Sequence, residues 1–168
     1  MNARQLFEKV QEILQAAVWA GGSEPVFHDR AVMVTAYTDP SEALKRAPAP
    51  LAVIRPGNAT VDPEADEEPG LISQEFIVTL VTRNPNDAIG EAALLGGASP
   101  DGRTTSENRG LLEVEEELLR AGGFLDGVSG VTIMARAKSA PEAIIDDEYG
   151  YVVWRDYLFE ALVTSEAE

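Results

Sequence analysis

Ser73-Gln74-Glu75-Phe76-Ile77-Val78-Thr79-Leu80-Val81 opens the part of the chain on which the fold turns. Phe76, Val78 and Leu80 alternate with Ile77, Thr79 and Val81. Successive side chains on a strand point to opposite faces, so both faces here are apolar or β-branched. That pattern predicts a central strand covered on two sides. Asn84-Pro85-Asn86-Asp87 stops it, because proline lacks a ladder donor and Asn and Asp favour turns. A glycine-punctuated loop follows, and then a helix predicted from Glu107 to Ala121, with Ser106 as cap and Gly122-Gly123 as stop. At about 100° per residue, Leu111, Leu112, Val114, Leu118, Leu119 and Ala121 fill one half of its wheel. Glu113, Glu116, Glu117 and Arg120 fill the other. Glu115 falls inside the apolar arc. It either bends to the rim or is a buried or interfacial carboxylate, which needs a partner because a lone buried charge is costly.

Outward from this stretch, Asn2 to Val18 reads as an amphipathic helix. Leu6, Val10, Ile13, Leu14 and Ala17 form its stripe, and Asn2 with Gln5 resembles a capping box. Trp19 lies off the stripe. Val26 to Tyr37 predicts a strand, clearest from Ala31. Asp39-Pro40-Ser41-Glu42 opens a short helix with cap, first-position proline and capping acid. Leu51 to Ile54 predicts a short strand closed by Arg55-Pro56-Gly57-Asn58, and Thr60 to Gly70 an acidic loop. Ile89 to Leu95 has the pattern of a helical turn. Gly130 to Lys138 is a further strand, and Pro141 to Gly150 reads as an acidic connection. Tyr149 to Thr164 is the last strand. At about 3.3 Å per residue it would run some 50 Å, long enough that a bulge or projecting end is expected. One of its faces carries Tyr151, Val153, Arg155, Tyr157 and Phe159, which puts Arg155 among apolar neighbours, as Glu115 is. We therefore expect Glu115 and Arg155 to face each other, between helix and sheet or across a subunit contact.

Runs of adjacent strands joined by loops imply one α+β domain over residues 1–168. Its antiparallel or mixed sheet has about four to five strands, with two main helices packed on one face. Two long loops are expected, an acidic one at 58–72 and a second at 85–106; loops of that length in a compact domain are often functional.

The composition narrows the function. The 168 residues hold 13 basic and 29 acidic side chains, a formal net charge of −16, and no cysteine. Disulfides, thiolate catalysis and cysteine–zinc sites are excluded. The excess acid is segregated: residues 1–60 carry six acids and six bases, residues 61–168 the other 23 acids and seven bases. Such a surface repels phosphate, so nucleic-acid binding by charge neutralisation is not expected. No apolar run approaches the roughly 20 residues of a membrane span, and the N-terminus lacks a signal-peptide core. The acidic run at 62–68 lacks the spacing and glycine of a calcium loop, and Gly96-Gly97 lacks the lysine of a phosphate loop. His28, the only histidine, has no serine or carboxylate set around it and reads as structural. No catalytic, cofactor or metal residue is assigned.

The order of elements resembles the tail terminator, or tail completion, proteins of long-tailed bacteriophages. The resembling pieces are the opening helix, Pro50-Leu51-Ala52-Val53-Ile54-Arg55-Pro56-Gly57, the Phe76 to Val81 strand, Gly90-Glu91-Ala92-Ala93-Leu94-Leu95-Gly96, and Gly110-Leu111-Leu112-Glu113-Val114-Glu115. The resemblance spans nearly the whole chain and rests on pattern and size; the family has no catalytic signature. It implies a structural virion protein without enzymatic activity, assembled in the host cytoplasm and located in the tail or neck. Such a protein forms a homo-oligomeric ring, a hexamer, on the tail tube protein and offers a surface to the neck or head-completion protein. DNA passes through without specific binding. Ring contacts are heterologous, with Glu115, Arg155, Gly96, Gly97 and Trp154 as candidate interface residues. Glu64, Asp66, Glu67, Glu68, Glu113, Glu116 and Glu117 are candidates to line the channel. Three rivals stand beside this reading: a neighbouring head–tail connector of the neck, a small acidic adaptor that binds a basic partner, and an enzyme, which would need its acids fixed in a concave site.

Overall fold

A computed structural model of the chain describes residues 1–20, 23–36, 39–61, 70–84, 89–96, 109–120, 125 and 128–164. Among these residues the protein is α+β, with a mixed six-stranded sheet and four helices. In chain order the elements are α1 (Ala3–Gln15), β1 (Val32–Val34), α2 (Pro40–Leu44), β2 (Leu51–Val61) and β3 (Leu71–Asn84). They continue with α3 (Glu91–Leu95), α4 (Leu111–Arg120), β4 (Ile133–Lys138), β5 (Glu142–Asp146) and β6 (Gly150–Thr164).

The sheet order is β1-β2-β3-β6-β4, with β5 also on β6. β3 is therefore the central strand that its two apolar faces require. β1 runs parallel to β2, and the chain crosses between them through α2; every other pairing is antiparallel. β3 and β6 pair along their whole common length, from Leu71 opposite Thr164 to Asn84 opposite Tyr151.

Directly paired residues share a face, so the register divides the sheet. Phe76, Val78, Leu80 and Thr82 lie beside Phe159, Tyr157, Arg155 and Val153. This face takes α1, α3 and α4. Phe7 of α1 packs edge-on against Phe76, which stacks on Phe159 at 5.3 Å. The buried Thr82 hydroxyl donates to the Ala93 carbonyl of α3 at 2.6 Å. Leu6, Val10 and Leu14 of α1 and Leu111, Val114 and Leu118 of α4 complete the core. The opposite face carries Val53, Thr79, Val81 and Trp154, and is partly covered by α2.

Local signals account for the helix starts. The Asn2 side chain accepts from the Gln5 N–H while the Gln5 side chain accepts from the Asn2 N–H, the reciprocal pair expected of the sequence. Asp39 accepts from the N–H groups of Ser41 and Glu42, with Pro40 at the first helical position.

Several boundaries differ from expectation. β1 is three residues long, and Tyr37 lies outside the described residues. β2 does not stop at Ile54: it continues through Pro56 and Gly57 to Val61, with a register shift between Pro56 and Ala59 that absorbs the proline. The 58–72 loop therefore shrinks, because Val61 and Leu71 both belong to strands and only 62–69 lie outside the described residues. In the 85–106 segment, α3 is the helical turn expected near Ile89–Leu95.

The largest correction concerns Pro141 to Gly150. It is not a mere connection. Glu142–Asp146 forms β5, which turns through Asp146 back into β6. The Asp146 carboxylate accepts from the Glu148 and Tyr149 N–H groups and so closes that turn. This resolves the length of β6. It needs no projecting end, because β5 serves its first half and β4 its second, in tandem along one edge. Nor does β6 carry the bulge expected of it, since its pairing with β3 is unbroken; the irregularity lies in β4, between Ala135 and Ala137.

Candidate functional site

Glu115 of α4 and Arg155 of β6 meet where the helix lands on the sheet. Arg155 Nη1 donates to Glu115 Oε2 at 2.8 Å, with the two side chains only 14% and 12% exposed. The contact lies within one chain, between helix and sheet. Two partners that the sequence did not suggest complete it. Lys138 Nζ from β4 donates to Glu115 Oε1 at 2.8 Å, and the Tyr157 hydroxyl makes a short hydrogen bond to Glu115 Oε2. Tyr157 was within reach of pattern reading, since it lies two residues beyond Arg155 on the same face. Lys138 was not, because β4 reaches β6 only through the fold.

Burial pushes the Glu115 carboxyl upward, but the hydrogen bonds from Lys138, Tyr157 and Arg155 together more than reverse this, and it lies below the usual carboxylate range. Burial first, and then the Glu115 bond and charge, push the Tyr157 phenol well above its usual range. Both groups are therefore locked in one protonation state near neutrality: carboxylate and phenol. Such a cluster holds an anion firmly between two cations and offers no group poised to exchange a proton near pH 7. Arg155 Nε is buried and has no hydrogen-bond partner among the described residues.

Glu115, Lys138 and Tyr157 of the cluster line a cavity of about 310 Å³ between α4 and β4, together with Leu80, Leu119, Ala135, Arg136, Ala137 and Phe159. Leu119 is exposed by half, and Leu112 is exposed too. This corrects the helical wheel. The buried stripe of α4 runs along Leu111, Val114 and Leu118, and Glu117, assigned to the solvent side, is buried. Among the described residues the helix begins at Leu111, with Arg109 and Gly110 before it not helical; Ser106, Glu107, Ala121 and Gly122-Gly123 lie outside the described residues.

The start of α4 is fixed by a backbone crossing. A Cβ on Gly110 would fall 2.1 Å from the Gly96 nitrogen, and Gly96 itself has φ +90°. The two glycines let the end of α3 pass against the start of α4. Gly96, a candidate for subunit contact, is used inside the chain; Gly97 lies outside the described residues. Trp154 is half-buried on the α2 face, paired with Val81 and Glu142.

The candidate channel acids divide. Glu64, Asp66, Glu67 and Glu68 lie outside the described residues. Glu113 accepts from Arg109 at 2.7 Å, and Arg109 in turn lies over the Trp19 ring at 4.7 Å. Of the three helical acids, only Glu116 is exposed.

On the α2 face lies a cleft of about 560 Å³, lined by residues of β1, β2, β3 and α2, among them Met33, Val34, Val53 and Val81. Arg30 and Arg46 stand at this cleft, and among the described residues neither takes part in an ion pair. A second polar group crosses the same face, where Thr79 donates to Asp156 at 2.6 Å and Arg55 approaches both at 3.3 and 3.4 Å. His28 is exposed. Among the described residues no group of three or more His, Asp or Glu side chains is arranged to hold a metal. No helix among them is long and apolar enough to cross a membrane.

No protein-family model matches this sequence, and no curated protein matches it either.

Proposed function

We propose that this protein is a structural component of a long-tailed phage virion, a tail terminator that forms a ring on the end of the tail tube and joins it to the neck. The observation that carries the reading is the state of the sheet's two ends. β5, at one end, is exposed from Glu142 through Ile145, with Ile144 39% and Ile145 70% exposed. At the other end β1 is only three residues long, which itself blunts an edge, but its Val34 is exposed. Exposed apolar side chains at two dissimilar edges suit a chain completed by copies of itself through head-to-tail contacts, and such contacts generate rings. The acid excess of residues 61–168 is compatible with a bore that DNA traverses without sticking.

The neck-connector reading shares these features. It parts from the terminator reading on one point, which is whether the protein binds the free end of a tail tube. Electron microscopy of purified tail tubes incubated with the protein tests it. The terminator reading expects a ring at one end of each tube. Rings that bind head–neck particles and leave tubes bare would favour the connector. Single particles bound to neither would remove both.

A further inference from the structure

We propose that the cavity between α4 and β4 binds a small apolar carboxylate, a medium-chain fatty acid in class, with its hydrocarbon against Leu80, Leu119 and Phe159 and its carboxylate on Lys138 and Arg136. The site lies within one chain and does not depend on ring assembly.

The walls call for hydrocarbon. Leu80 and Phe159 are almost wholly buried, yet both line the cavity, so it reaches down to the core. Leu119, exposed by half, stands at its mouth. On the β4 side Ala135 and Ala137 leave the space that larger residues would fill. At about 310 Å³ the volume is at the small end of the roughly 300–1,000 Å³ of ligand sites, which suits a small molecule.

The charge calls for a single anion. Glu115 is met by both Arg155 and Lys138, and Glu160 by Arg136 at 2.6 Å. Three cations thus face two carboxylates, and one positive charge is unmatched in a protein whose net charge is −16. The next acid of α4, Glu116, lines a different cavity beside Trp19 and Arg109. An ammonium has three N–H donors, and Lys138 gives one to Glu115; the Arg136 fork gives only its Nε. Neither makes another hydrogen bond among the described residues, and their side chains are 56% and 47% exposed. The remaining donors therefore stand open at the cavity, and a guanidinium fork matches a carboxylate in shape as well as charge. A cationic ligand would add to the surplus, and a neutral one would leave it unmet.

The β4 irregularity is what brings the charge to the apolar walls. Ala135 pairs with Phe159 and Lys138 with Tyr157, two residues on one face of β6. Ala135 and Lys138 are three positions apart, and unbroken alternation would send them to opposite faces. The shift between Ala135 and Ala137 puts them on the same one. Bulges are over-represented beside functional sites because they re-aim a side chain in this way.

The test titrates the full chain with octanoate, octanol and octylammonium, read by calorimetry and by NMR. Octanoate should bind at one saturable site, and octanol and octylammonium at least about tenfold more weakly for want of the charged hydrogen bonds. Arg136→Gln, at an exposed side chain, should keep the parent's thermal melt and bring octanoate down toward octanol. Ala135→Phe should fill the cavity and abolish binding, and an aromatic residue suits the strand. The three-ligand comparison is made on the parent chain, so it decides the matter without any variant. No saturable binding of octanoate, equal affinity for octanoate and octanol, or binding that survives Ala135→Phe would each overturn the site.

Discussion

Two of the strands with short apolar runs are used in opposite ways. Phe76–Val81 in β3 is flanked by β2 and β6, with one face in the core and the other partly covered by α2. Ala143–Ile145 in β5 has one neighbour, and every one of its side chains is exposed. The first run is spent on folding. The second contributes little to folding and is free for contact with another surface. An apolar run therefore marks the interior in β3, where both edges are paired, and marks an exposed surface in β5, where one is.

This contrast predicts a graded set of outcomes. The greatest loss should follow Phe76→Ala, which empties a fully buried site between Phe7 and Phe159. We expect about 4 kcal/mol by denaturant unfolding, whereas Ile145→Ala should stay within about 0.5 kcal/mol. Comparable losses at the two positions would erase the distinction between the strands.

Next comes the ion cluster beneath α4. Glu115→Met or Arg155→Met alone leaves a charge buried without its partner and should destabilise by about 3 kcal/mol. The double replacement should lose less than either single one. Strictly additive losses in that cycle would show that the two groups do not depend on each other.

A somewhat smaller effect is expected at the glycine crossing. Gly110→Ala forces the backbone of α3 away from α4 and should destabilise by about 2 kcal/mol. A melt unchanged by Gly110→Ala would contradict the 2.1 Å approach.

The smallest effect is in pH dependence. The Glu115 carboxyl is held below its usual value, so its contribution is complete above the unfolded-state value, about 4.3, and is lost as pH falls through the lower folded-state value. The stability gap between the parent protein and Glu115→Gln should therefore be constant from pH 7 to about pH 5 and narrow in more acid solution. A gap that widens on acidification would reverse the sign assigned to the cluster.

The central strand, the two long helices and the caps of α1 and α2 were legible because each is written in local pattern: alternation for β3, a stripe for α1, Asn2 with Gln5 and Asp39 with Pro40 at helix starts. The meeting of Glu115 and Arg155 was legible for a related reason, since each is a charge out of place on an otherwise apolar face. β5 was hidden because four acids surround its isoleucines, and composition of that kind reads as loop. The length of β2 was hidden by Pro56 and Gly57, which a register shift accommodates. Leu112 and Leu119 were misplaced because a wheel gives the spread of apolar residues and not the rotation at which the helix lands. Lys138 carries no local signal at all; its part in the cluster follows from which strands become neighbours.

Native mass spectrometry of the concentrated protein addresses the proposed mode of action most directly. Each copy weighs 18.0 kDa, and the account predicts one closed species, six copies by the terminator resemblance, with no open series of intermediate sizes at saturation. A monomer at every concentration, with tail tubes left uncapped beside it, would contradict it.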